Sequence, residues 1–97
     1  MRETTFYIVL NLKTCNGNRS FGKFFIGNNR KNADVLFRQL KGKKDVDDET
    51  VLSLDLIESR DGLPYNMDMI SCSLEEMAEN CKIIAREIFI HYNLEKQ

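Results

Sequence analysis

Apolar and turn-forming residues alternate along the first half of the chain in a pattern that predicts a β-hairpin. Residues 5–13 and 21–26 are two segments rich in aromatic and aliphatic side chains, and Asn16 and Gly17 lie between them. An Asn-Gly pair in this position is a strong hairpin signal, because a type I′ turn needs positive φ at both central residues. We therefore expect two antiparallel strands joined by a turn centred on Asn16 and Gly17.

A helix is expected directly after this hairpin. Its apolar side chains recur at the i, i+3, i+4 and i+7 spacing of one helix face, at Ala33, Leu36, Phe37 and Leu40. Asn29 is a suitable N-cap residue before this stripe. Gly42 follows the stripe and is placed to end the helix.

The second half of the chain repeats the same order of elements. Residues 51–58 and 65–70 predict two strands, and Asp61 and Gly62 predict the turn between them. Ser73 and Glu76 form a capping box at the start of a second helix. The apolar stripe of that helix consists of Leu74, Met77, Ala78, Cys81, Ile84, Ala85, Ile88 and Tyr92.

The order ββαββα predicts an α+β fold, in which a four-stranded antiparallel sheet carries two helices packed on one face. We expect one domain over residues 1–97, with two halves at 5–42 and 51–95 that share a pattern but no clear residue identity. Pro64 lacks a backbone N–H, which indicates that the fourth strand begins at a sheet edge.

A second hairpin centred on Asp61 and Gly62 gives one apolar and one largely polar face. Its inward side chains are expected to be Leu52, Leu54, Leu56, Tyr65, Met67 and Met69. The same register places Asp55 opposite Asp68, and directly opposed like charges are unfavourable. A divalent cation could relieve this repulsion, but hard cations need several more oxygen ligands. A solvent-screened pair without a metal is therefore the favoured interpretation.

The first hairpin carries apolar residues on both of its faces. A turn centred on Asn16 and Gly17 places Phe6, Ile8 and Leu10 on one face, and Tyr7, Val9, Phe24 and Ile26 on the other. A bulge near Gly22 or a longer loop would shift the pairing by one residue. Helices on one side of a sheet cannot cover both faces, so either the linker and chain termini or a partner subunit must cover the second. We favour a homodimer with Tyr7, Val9, Phe24 and Ile26 as its interface.

Charge is divided unevenly between the two halves of the chain. Residues 1–44 contain ten Lys or Arg and two acidic residues, for a net charge of +8, whereas residues 45–97 have a net charge of −9. This division favours charged partners, complementarity within the chain or association between copies.

Several basic residues of the first half form a candidate site for anions or nucleic acid. Its members are Asn29, Arg30, Lys31, Arg38, Lys41, Lys43 and Lys44. The acidic pI of about 5.8 and the acidic residues at 45 and 47–49 favour a solvated helix face instead. Nucleic-acid binding through residues 30–44 therefore remains the alternative function.

No set of residues with the spacing of a catalytic or cofactor site occurs in the sequence. The cysteines Cys15, Cys72 and Cys81 are odd in number and form no CxxC motif, which favours free thiols in a reducing cytoplasm. The lone His91 is ten residues from Cys81, so no thiol–base pair is identifiable. No apolar stretch approaches the roughly 20 residues needed to span a membrane.

We therefore expect a small, non-catalytic cytoplasmic association module, most simply a homodimer, with no cofactor, no metal and no membrane partner.

Overall fold

The computed structural model describes residues 4–45 and 50–94, with side chains described through residue 90. The acidic residues at 47–49 and the side chains of His91 and Tyr92 lie outside this description. The elements in chain order are β1 (Thr4–Thr14), β2 (Gly17–Gly27), α1 (Arg30–Arg38), β3 (Leu52–Arg60), β4 (Leu63–Cys72) and α2 (Leu74–Leu94). The four strands form one antiparallel sheet in the order β2-β1-β3-β4. The predicted α+β fold and its ββαββα order are confirmed.

The two hairpins turn in different ways. Asp61 and Gly62 both have positive φ, at 53° and 86°, so the predicted turn at these residues is confirmed. The first turn is instead centred on Cys15 and Asn16, and Gly17 follows it at a φ of 106°. The predicted type I′ turn at Asn16 and Gly17 is therefore wrong. A type I′ turn needs positive φ at both of these residues, and of the two only Gly17 has it, a conformation that glycine reaches without steric cost.

A β-bulge in β2 corrects the faces expected for the first hairpin. The pairing shifts between Leu10 and Asn11, so that Phe21 is the extra residue and Ile8 pairs with Phe24. A further shift between Phe6 and Tyr7 makes Ile26 an extra residue near the end of β2. Phe24 and Ile26 consequently pack against the hydrophobic core on the helix side. The grouping of Phe24 and Ile26 with Tyr7 and Val9 is therefore wrong, although a bulge near Gly22 was one of the expected alternatives.

A bulge in β4 has the same effect on the other hairpin. Met67 is the extra residue, so Leu54 pairs with Ile70 and Asp55 pairs with Met69. Ile70 is buried and Met69 is 37% exposed, the reverse of the expected arrangement. Asp68 lies opposite Leu56, so the predicted Asp55–Asp68 pair does not form.

One hydrophobic core lies between the sheet and the two helices. Its buried members are Phe6, Ile8, Ala33, Leu36, Phe37, Leu54, Leu56, Ile70, Met77, Ile83 and Ile84. The predicted helix starts are both confirmed by hydrogen bonds. Asn29 Oδ1 accepts from the backbone N–H of Asn32 at 3.0 Å, while Ser73 and Glu76 bond reciprocally at 2.9 and 3.1 Å.

The segment after α1 crosses to the edge of β4, where an unexpected residue holds it. The helix ends at Arg38, earlier than predicted, and Lys43 exchanges two backbone hydrogen bonds with Ser71 at 2.7 and 2.9 Å. Asn80 of α2 is 0% exposed. Its side chain accepts from the backbone N–H of Lys41 and donates to the carbonyl of the same residue, both at 2.7 Å.

Asn80→Ala is expected to destabilise the fold by about 2–4 kcal/mol, because it removes both hydrogen bonds to Lys41 from a buried position. Denaturant unfolding measures the loss. The matched control is Glu79→Ala at the exposed neighbouring position, which should change stability by no more than about 0.5 kcal/mol. A loss below about 1 kcal/mol for Asn80→Ala would contradict this role.

Gly42→Ala is expected to destabilise the fold by about 1–3 kcal/mol through overpacking. A Cβ at Gly42 would lie 2.5 Å from the backbone carbonyl oxygen of Ser71. A Cβ at Gly22 would meet only the Cβ of Leu10 at 3.7 Å, so Gly22→Ala is the control. Equal thermal melting of the two variants would show that the linker does not need this close approach.

Candidate interaction surface on the open face of the sheet

The face of the sheet opposite the helices, called the open face here, carries three rows of side chains that run across the strands. The charged row is Lys23, Val9, Asp55 and Met69. The aromatic row is Phe25, Tyr7, Ile57 and Asn66. The polar row is Ser20, Asn11, Ser53 and Ser71. Within each row the residues are given in the strand order β2-β1-β3-β4.

Apolar side chains occupy the middle of the open face. Tyr7, Val9 and Ile57 are half-buried and line a shallow depression of about 460 Å³. Phe25 is 49% exposed at its margin. Lys23 extends over Tyr7, with its Nζ 4.5 Å from the centre of the ring. This face therefore presents an apolar patch beside an exposed cation, the composition of many binding surfaces.

Asp55 lies beside this apolar patch with incomplete hydrogen bonding. Asn11 Nδ2 donates to Asp55 Oδ2 at 2.8 Å, and Ser20 Oγ donates to Asn11 Oδ1 at 3.1 Å. The other carboxylate oxygen, Asp55 Oδ1, is buried and has no hydrogen-bond partner among the residues that the structure describes. Burial raises the pKa of Asp55, and the hydrogen bond from Asn11 offsets part of this rise. The site thus contains a half-buried carboxylate that is incompletely hydrogen-bonded and lies beside the apolar patch.

A second incompletely bonded carboxylate, Glu58, lies on the helix side of the sheet. Its Oε2 is 3.1 Å from Arg60 Nε, and the Arg60 guanidinium lies 4.2 Å from the centre of the Tyr65 ring. Glu58 pairs across the strands with Phe6 and Tyr65 and shares their face. It is therefore not part of the open face.

The structure separates the basic residues that were proposed to contact an anion. Asn29 caps α1, Arg30 and Lys31 begin that helix, and Arg38 ends it. Lys41 and Lys43 lie in the linker beside β4, and Lys44 Nζ pairs with Asp68 Oδ2 at 2.9 Å. These residues are distributed between the two ends of α1 and the β4 edge rather than gathered on one surface.

The surroundings of the cysteines favour a structural role over a reactive one. Cys15 is exposed in the first turn, and all three thiols are free. Cys72 Sγ donates to the carbonyl of Lys41 and accepts from Asn80 Nδ2, both at 3.4 Å. Burial raises the pKa of Cys72, which opposes formation of the reactive thiolate. Among the described residues, no group of three His, Cys, Asp or Glu side chains is arranged to hold a metal ion.

Two of the four residues predicted for the interface lie on the open face. Tyr7 and Val9 lie on the open face, but Phe24 and Ile26 do not. Asn11 and Ile57 lie on this face by the simple alternation of β1 and β3. Lys23 and Phe25 were missed, because their place in β2 depends on the bulge at Phe21. The signal for that bulge is Gly22, since glycine inside a strand often marks one.

Comparison with protein-family models, curated proteins and solved structures found no match for this chain. Neither helix, over the part of the chain that the structure describes, is both long and apolar enough to cross a membrane.

Asp55→Asn is expected to improve stability more at neutral pH than in acid. The raised pKa of Asp55 means that the folded chain holds this proton more tightly than the unfolded chain. The stability that the protonated Asp55 side chain contributes is therefore fully present below its ordinary pKa of 3.8. This stability is lost as the pH rises through the folded-state pKa, because the buried side chain then becomes charged. Asparagine retains an acceptor for Asn11 and does not titrate.

Unfolding free energies between pH 3 and 7, at a concentration where the chain is monomeric, measure this difference. The gain of Asp55→Asn over the unmodified chain should grow with pH and then level off. Glu79→Gln, at an exposed position on α2, is the control. A gain that is independent of pH would contradict the assignment.

Proposed function

We propose that this protein is a small non-catalytic association module that forms a homodimer through the open face of its sheet. One observation carries the proposal: Asp55 Oδ1 is buried without a partner beside an apolar surface that neither helix covers. A buried acceptor without a donor is unfavourable by about 1–3 kcal/mol. A partner that covers the apolar rows and places a cation against the Asp55 carboxylate would offset this penalty.

A second copy of the chain is the partner that suits this surface. A two-fold interface uses the same patch on both subunits, so the patch must contain complementary groups. The open face contains an acceptor in Asp55 and a donor in Lys23, separated by the apolar side chain of Val9. Face-to-face packing of two sheets is also a common way to bury half-exposed strands. The free cysteines support our proposal that the dimer acts in the reducing cytoplasm.

A second candidate function, binding of single-stranded nucleic acid, is favoured by the aromatic row. Tyr7 and Phe25 are adjacent on the open face, and Lys23 lies beside them. Aromatic side chains on a sheet can stack with bases while lysines contact phosphates. Asp55 in the same surface opposes this function, because its charge repels phosphate.

Light scattering during size-exclusion chromatography at tens of micromolar protein tests the dimer. We expect twice the mass of the 11.3 kDa chain. Val9→Glu and Ile57→Glu should each give the monomer, because they place charges in the apolar patch. Val35→Glu is the control, since Val35 is 48% exposed on α1 and faces away from this surface. Circular dichroism confirms that each variant is folded.

A monomeric mass for the unmodified chain would overturn the homodimer. Fluorescence anisotropy with a labelled mixed-sequence single-stranded RNA, at low and moderate salt, tests the second candidate. Binding by the unmodified chain that is lost in Tyr7→Ala would favour the nucleic-acid function over the dimer.

A further inference from the structure

The charged row has an internal geometry that selects one arrangement of two copies. Val9 pairs with Lys23 on one side and with Asp55 on the other. Adjacent strands are about 4.8 Å apart, so the two charged residues lie at similar distances on opposite sides of Val9. A two-fold axis that passes through Val9 and runs along β1 would exchange these two sides.

Two orientations of such an axis stack the open faces of two copies with their strands aligned, as packed sheets commonly are. An axis along β1 places β2 of one subunit over β3 of the other, so that opposite charges meet. An axis across the strands along the charged row places each strand over its own copy, so that lysine meets lysine and aspartate meets aspartate. Because like charges at an interface are strongly unfavourable, the first orientation is selected.

We propose that the dimer is built around a two-fold axis along β1 at Val9, with Lys23 of each subunit bonded to Asp55 of the partner subunit. This inference rests on the proposed function and specifies how its interface is made. It places a cation against the half-buried Asp55 carboxylate, which in the single chain has only the hydrogen bond from Asn11. The charge of Asp55 is therefore balanced by the partner subunit.

The other two rows are compatible with the same axis. In the aromatic row, Phe25 would lie over Ile57 of the partner subunit, which buries apolar surface on both chains. In the polar row, Ser20 would lie over Ser53 of the partner subunit, so polar groups meet polar groups. Each row is thus matched with a row of its own character.

The distances allow these pairs to form. Packed sheets lie about 10 Å apart and cross at about 30°, and this rotation displaces side chains one strand from the axis by only about 2.5 Å. The long side chain of Lys23 can span this separation after it leaves the ring of Tyr7, which lies 4.5 Å from its Nζ in the single chain. The arrangement also places the basic strand β2 of one copy over β3 of the other copy, and β3 belongs to the acidic half of the chain.

Charge exchange between two variants tests this arrangement. Lys23→Glu alone would place two acidic residues together at each contact, and Asp55→Lys alone would place two lysines together. Each variant should therefore dimerise at least about tenfold more weakly than the unmodified chain. Mixing the two variants should restore dimerisation, because a mixed dimer has one lysine and one acidic residue at both contacts. The double variant should also recover the homodimer.

Native mass spectrometry of the mixture distinguishes the mixed dimer from either homodimer by mass. Lys82→Glu, at an exposed position on α2, is the control and should neither weaken dimerisation nor pair selectively with Asp55→Lys. Should Asp55→Lys fail to fold, the neutral variants Lys23→Met and Asp55→Asn replace the pair. Each should weaken the dimer, and the double variant should be little weaker than either one alone.

The outcomes separate the two proposals. A monomeric unmodified chain would overturn the proposed function, and this arrangement with it. Two results would overturn the arrangement alone while the unmodified chain remains a dimer. In the first, the single variants form homodimers as readily as the unmodified chain. In the second, the mixture of variants shows no preference for the mixed dimer.

Discussion

The registers of the two hairpins are the constraint on which the rest of this structure depends. Side chains alternate between the faces of a strand, so each one-residue bulge transfers every following residue to the other face. The bulges at Phe21 and Met67 bring Phe24 and Ile70 under the helices. They also place Lys23, Phe25 and Met69 on the open face, beside the residues that alternation in β1 and β3 puts there. The hydrophobic core and the candidate interface are thus two results of the same pairing.

The buried Asn80 fixes the other part of the architecture, the return of the chain from α1 to the sheet. Its two hydrogen bonds hold the backbone of Lys41, and Gly42 allows the linker to approach β4 closely. The bridge between Lys43 and Ser71 then covers part of the β4 edge, which would otherwise expose unpaired backbone groups. Among the described linker residues, Lys41 and Lys43 lie at this edge, and neither helix covers the open face.

Local signals in the sequence predicted the element order, the helix starts and one turn, because a few adjacent residues determine each of these features. The capping residues Asn29 and Ser73 and the Asp61–Gly62 turn are examples. The bulges were harder to predict, because the best burial of both hairpins against the helices decides them. Tyr7 and Val9 were recognised as surplus apolar residues, but the Lys23–Val9–Asp55 row requires the exact pairing. Asn80 was missed because a polar residue beside a helix stripe ordinarily faces solvent.

The central claim is that a second copy of the chain covers the open face, and intermolecular nuclear Overhauser effects test it most directly. In a mixture of isotope-labelled and unlabelled chains, only contacts between copies produce signals in an isotope-filtered spectrum. We expect such signals between the Val9 methyl groups of the two copies, and from Phe25 to Ile57 of the partner subunit. Signals confined to the exposed helix residue Val35, or no intermolecular signals at a concentration of several hundred micromolar, would contradict it.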